Sequence, residues 1–108
     1  MNKYLFVFLG LILSSVLSAQ VQQAVYQTVK DIPYSSSDDA YARERCKLDV
    51  YYPENLTDCP VVVWFHGGGL TSGNKSIPGR LQNCGMVVVA VNYRLLPKVD
   101  IAACLDDA

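Results

Sequence analysis

Residues 60–69 read Pro60-Val61-Val62-Val63-Trp64-Phe65-His66-Gly67-Gly68-Gly69. The first six carry no charged or hydrogen-bonding aliphatic side chain and are rich in β-branched Val, which predicts a strand buried on both faces. Three glycines then predict a sharp change of direction that leaves main-chain N–H groups open. A second run of the same kind, Met86-Val87-Val88-Val89-Ala90-Val91, follows about twenty residues later, and strands so separated imply a parallel pair joined by a crossover, with room for a short helix over 77–83. The architecture is therefore α/β.

Working outward, residues 46–52 alternate Cys46, Leu48 and Val50 against Lys47, Asp49 and Tyr51. That is the period-two pattern of a half-exposed edge or antiparallel strand, ended by Pro53. Downstream, Asp100 offers an N-cap, and Ile101, Cys104, Leu105 and Ala108 fall at helical spacing on one face. No glycine cap or basic last turn follows, and two parallel strands lack a covering layer, so the chain reads as the front piece of a longer protein.

At the other end, Lys3 precedes an apolar run that continues through Leu17. The run is shorter than the roughly 20 residues a membrane span needs, which makes it a secretory signal, cut after Ala19. Gln20 in place of Cys argues against a lipid-modified terminus. Three segments result: 1–19 signal, 20–40 polar with a solvated serine and aspartate loop, and 41–108 the start of an α/β domain. Export to the periplasm or beyond permits disulfides among Cys46, Cys59, Cys84 and Cys104, with buried free thiols as the alternative. Cys59 and Cys84 each stand shortly before an apolar strand, which favours that pair. Zinc is the weaker reading, because no C-x-x-C occurs and the one histidine, His66, runs straight into glycines.

Composition narrows the function. With 51% apolar residues, 18% charged residues and a formal net charge of -1, neither disorder nor nucleic-acid binding is expected. Open N–H groups after a buried strand suit a phosphate, a cofactor pyrophosphate or the oxyanion of an acyl-transfer intermediate. Spacing decides among them. Gly68 and Gly73 have the separation of a Walker A loop, but Asn74 intrudes before Lys75-Ser76 and Pro78 interrupts the helix it needs. For a dinucleotide fingerprint, Ser72 stands where the third glycine belongs, and Asn92 rather than an acid ends the next strand.

A His-Gly-Gly-Gly loop after a buried strand is the oxyanion pattern of lipases and esterases. Taken in order, Leu48-Asp49-Val50-Tyr51-Tyr52-Pro53, His66-Gly67-Gly68-Gly69 and Val91-Asn92-Tyr93-Arg94-Leu95-Leu96-Pro97 resemble the N-terminal part of α/β-hydrolase carboxylesterases of the hormone-sensitive-lipase-like type. The resemblance covers about residues 41–108. It implies a mostly parallel doubly wound sheet, incomplete in this chain, and hydrolysis of carboxylic esters, short acyl groups on small molecules or carbohydrates among them. It makes the N–H groups of Gly67 and Gly68 the oxyanion donors, with Gly69 giving close approach and His66 a supporting, non-catalytic loop residue. Asn92, Tyr93 and Arg94 would fix the strand end, while Asp49, Asp106 and Asp107 read as solvated or capping residues. No cofactor, metal or membrane span after signal removal is implied. No Gly-x-Ser-x-Gly occurs, so nucleophile, acid and base are not in this chain and it is expected to be inactive alone. A non-catalytic binding protein on the same scaffold and a serine peptidase of the same fold are the alternatives.

Overall fold

The computed structural model describes residues 23–108. The signal reading of 1–19 lies outside them. Four strands, β1 (Tyr26–Pro33), β2 (Lys47–Pro53), β3 (Val61–Phe65) and β4 (Val87–Val91), form one sheet in the order β1-β2-β4-β3. β2 pairs antiparallel with β1 and β4, whereas β3 runs parallel to β4, from Val61 opposite Val87 to Phe65 opposite Val91. Helix α1 (Ala40–Arg45) precedes β2, and α2 (Ile101–Asp107) follows β4. Among the described residues no helix is long and apolar enough to cross a membrane.

The two valine-rich runs form the expected parallel pair, and their burial differs between them. Val88 and Ala90 are fully buried, but Val61 and Val63 are 61% and 52% exposed. β3 is the outer strand of this sheet, bonded on one side only, so the expectation of burial on both faces fails there. β1 shows the same principle from the other edge. Its residues, read as part of a polar segment, join the sheet because an edge strand exposed along most of its length has no need of apolar side chains.

Between β3 and β4 the expected short helix is a single 3-10 turn, Gly79–Leu81, behind Pro78. Pro78 lacks an N–H and Gly79 is a poor helix former, so nothing extends the turn. Lys75 anchors this crossover, its ammonium donating to Asp49 at 2.7 Å and Asp31 at 2.8 Å. Asp31 sits at a break in the β1–β2 register with φ 59, and its N–H donates to Asp49 at 2.9 Å. Asp49 is thus a buried ion-pair partner and not the solvated residue expected. The alternation in β2 also turns over, with Asp49, Tyr51 and Pro53 on the buried side. The crossover covers that face.

Asp100 caps α2 as expected, accepting from the N–H of Ala103 at 2.9 Å. Cys104 is buried beneath the helix, while Leu105 stays 69% exposed. Asp107 is a second correction. Its side chain accepts from the Arg94 guanidinium at 2.8 and 2.9 Å and from the Arg94 N–H at 2.9 Å, tying α2 to the segment leaving β4. Such forked pairs are the stronger kind of charge-assisted hydrogen bond. The Cys59–Cys84 bridge is not formed, and all four cysteines are free. Each thiol turns instead to a nearby carbonyl, Cys59 to Thr57 and Cys84 to Gln82.

Burial pushes the Asp107 carboxyl up, but the hydrogen bonds from Arg94 outweigh it and hold the group below the ordinary aspartate value. A carboxyl lowered in the native state stabilises the fold above its unfolded pKa of about 3.9 and loses that contribution as pH falls through the native value. Asp107→Asn is expected to lower stability by about 3 kcal/mol at neutral pH, with the gap to wild type narrowing below about pH 4. Denaturant unfolding across pH measures it; a gap independent of pH would contradict the pairing.

Candidate active site

The glycine loop leaves the end of β3, and each of its first three peptides is held by its carbonyl. The carbonyl of His66 accepts from the Tyr93 hydroxyl at 2.9 Å. That of Gly67 accepts from His66 Nδ1 at 2.8 Å. That of Gly68 accepts from the N–H groups of Thr71 and Ser72 at 3.1 and 3.2 Å, and from both hydroxyls at the same distances. These peptides are trans, so fixing each oxygen aims the following N–H the opposite way. Among the described residues, the N–H groups of Gly67, Gly68 and Gly69 donate to no protein acceptor. They are three oriented donors, which is what an anionic oxygen requires.

His66 is 7% exposed and stacks on Tyr93, ring centroids 4.7 Å apart at 12°. A carbonyl can only accept, so Nδ1 carries the ring proton and Nε2 presents its lone pair, an assignment made from the hydrogen bonds. Arg45 Nη2 faces that lone pair at 3.5 Å. Both nitrogens are thereby engaged with neighbours of the loop.

Arg45, at the end of α1, is only 9% exposed. Its Nε donates to the carbonyl of Tyr93 at 3.0 Å, Nη1 to Asn74 Oδ1 at 2.7 Å and Nη2 to the carbonyl of Gly73 at 3.1 Å. One guanidinium thus joins the start of the loop, its far end and the exit of β4. Sequence reading passed it over, because nothing in Arg43-Glu44-Arg45 sets one charged residue apart from its neighbours. Asn92 and Tyr93 do fix this end, as expected: Asn92 Oδ1 accepts from the Lys75 N–H at 2.6 Å, and the Asn92 carbonyl accepts from the Tyr34 hydroxyl at 2.6 Å.

Two glycines have no substitute here. Gly68 has φ 131, and a Cβ on it would run into the carbonyl of Ser72. Gly73 has φ 105, and a Cβ there would strike both the Gly67 carbonyl and His66 Nδ1, the two atoms of the bond that orients the Gly68 N–H. Gly73 was read only as a failed phosphate-loop position.

Beside the loop, a small cavity of about 120 Å³ is lined by Phe65, Leu70, Tyr93, Cys104, Leu105 and Ala108. A larger one of about 390 Å³ lies against Asp49, Lys75 and Gln82 and shares no residue with the loop. Among the described residues no three His, Cys, Asp or Glu side chains gather to hold a metal. Ser72 spends its hydroxyl on the Gly68 carbonyl.

The sequence model described as "Carboxylesterase family" matches residues 14–97. The chain is 38% identical over 86 residues to a kynurenine formamidase of Danio rerio, a match covering 73% of this chain and 27% of that protein. It is 44% identical over 54 residues to liver carboxylesterase B-1 of Rattus norvegicus, covering 44% of this chain and 10% of that one. In solved structures, esterase B of Lactobacillus rhamnosis with a bound tributyrin phosphonate superposes with a TM-score of 0.62 at 22% identity, over 97% of this chain and 35% of the esterase. The chain therefore spans about a quarter of the formamidases it matches.

Gly73→Ala is expected to destabilise by about 1 to 3 kcal/mol, since it both strains a left-handed residue and pushes apart the His66–Gly67 bond. Gly79→Ala, where a Cβ meets nothing within 4 Å, is the control and should cost well under that. Equal unfolding midpoints for the two variants would contradict this account of the loop.

Proposed function

Because the chain belongs to the carboxylesterase family, we propose that it forms the oxyanion-binding part of an α/β-hydrolase that cleaves carboxylic esters, with a nucleophilic serine supplied from beyond residue 108. One observation carries this: three consecutive peptides of residues 66–69 are pinned by their oxygens, which leaves their N–H groups unpaired at the carboxyl end of a parallel strand pair.

In the proposed reaction the serine oxygen bonds to the acyl carbon and its proton passes to a histidine base. The carbonyl electron pair moves onto oxygen, and collapse expels the alcohol, which takes the proton back. Water then repeats the attack on the acyl-enzyme and frees the acid. The N–H groups of Gly67 and Gly68 receive the negative oxygen. Gly69 joins them as a candidate, since its peptide is held by four hydrogen bonds to the Gly68 carbonyl. Gly68 belongs to either neighbouring pair. Small-molecule and carbohydrate-linked esters of short acids are the proposed substrates. Residues 41–108 alone, without the serine, would be inactive. A second reading, hydrolysis of a formamide, is favoured by the similarity to kynurenine formamidases; the same oxyanion would form from an amide carbonyl.

The test uses the whole protein on a short-chain aryl ester and an N-formyl arylamine, with an organophosphonate to trap the nucleophile. Ester turnover and stoichiometric trapping are expected; faster turnover of the formamide would favour the second reading, and no turnover with no trapping would favour a binding protein. Gly68→Ala keeps the N–H but displaces it, because its Cβ meets the Ser72 carbonyl; per site titrated with the organophosphonate, kcat should fall by about 10² to 10³ with little change in KM, comparable to the loss of one oxyanion donor. Unchanged kcat would remove the loop from the chemistry. Export with cleavage after Ala19 belongs to the same proposal. Mass spectrometry of the exported protein should find Gln20 at its start, and Met1 there would contradict it.

A further inference from the structure

We infer that Arg45 is a positioning residue for the oxyanion loop, acting by holding His66 in the tautomer that orients the Gly67–Gly68 peptide; the inference rests on the reading of that loop given above. Arg45 is nearly buried, yet among the described residues its guanidinium meets no carboxylate. A buried cation without a counter-charge is costly unless its donors are well matched. Here they are spent on the carbonyls of Tyr93 and Gly73, the amide oxygen of Asn74 and the ring nitrogen of His66. Each acceptor lies at an end of the glycine loop or at the exit of β4.

The contact with His66 has the most consequence. A guanidinium only donates, so at 3.5 Å it favours a lone pair on the nitrogen facing it, which is the tautomer that the Gly67 carbonyl also selects by taking the proton of Nδ1. In the opposite tautomer two lone pairs would face each other across 2.8 Å, and the peptide would be released to rotate. The path runs from Arg45 through the imidazole to the Gly67 carbonyl and so to the Gly68 N–H, with Tyr93 stacked on the ring to hold its plane. Lysine in place of Arg45 keeps the charge but not the planar fork that reaches four acceptors.

The experiment compares wild type, Arg45→Lys and Arg45→Gln in the whole protein. Active sites are titrated with an organophosphonate, so that poorly folded protein is not counted. Per titrated site, kcat for a short-chain aryl ester is expected to fall about ten- to a hundredfold in both variants, as for a small misplacement of a catalytic group, with KM within about twofold. Inhibition by a trifluoromethyl ketone, whose adduct carries the oxyanion, should weaken by the same factor. The ¹⁵N signals of His66 should report protonated Nδ1 in wild type and a mixture of tautomers in Arg45→Gln. Full kcat per site, or an unchanged tautomer, would overturn the role of Arg45. If wild type itself hydrolyses no ester, the functional reading fails, and the tautomer comparison alone decides for or against Arg45.

Discussion

A guanidinium buried without a carboxylate must find neutral acceptors, and the rest of this structure is arranged around how Arg45 does so. It gathers acceptors that α1, β3 and β4 bring to one point: the carbonyl of Tyr93 after β4, the carbonyl of Gly73 and the side-chain amide oxygen of Asn74 at the end of the loop, and the ring nitrogen of His66 at its start. Those groups lie 21 to 48 positions away in the chain. The parallel register of β3 on β4 makes the meeting possible, since it delivers Phe65 and Val91 to the same end of the sheet. From there the carbonyl oxygens of the loop are satisfied one after another and the N–H groups are not. That asymmetry is the chemical content of the site.

The sheet edge has its own consequence. β3 is bonded to β4 alone and leaves Val61 and Val63 in contact with solvent, on a strand composed for burial. Esterase B, with the same fold over 97% of this chain, is about three times as long. A strand of that composition is stabilised by cover on both faces, and residues 23–108 leave most of β3 exposed. The anchoring by Arg45, Tyr93 and Asn92 holds the loop in place by contacts within residues 45–93.

How much of this was legible depended on how local each signal is. The two valine runs, the glycine turn between them and the Asp100 cap rest on neighbouring residues, and each stands where it was expected. The three ordered motifs pointed to the family that the match over residues 14–97 shows. Charged residues were misread or passed over for one shared reason. Asp49 meets Lys75 26 positions on, Asp107 meets Arg94 13 positions back, and Arg45 finds its acceptors across the sheet. A carboxylate or guanidinium looks solvated in sequence until its partner's place in the fold is known. β1 escaped notice because an edge strand carries no apolar pattern, and the Cys59–Cys84 pairing failed because each thiol turns to a carbonyl of its own loop. Gly73 is the residue that sequence reasoning came closest to finding, since it was counted for its spacing but not for its proximity to His66.

The central claim is that the N–H groups of the glycine loop are held open to receive a negative oxygen. Amide spectra of the whole protein, before and after reaction with an organophosphonate whose phosphoryl oxygen takes the oxyanion's place, test it most directly. The account predicts that the amide protons of Gly68 and of at least one neighbouring glycine move strongly downfield and exchange slowly with solvent in the adduct. Protons of Gly67, Gly68 and Gly69 that keep their positions and fast exchange in a fully formed adduct would contradict it.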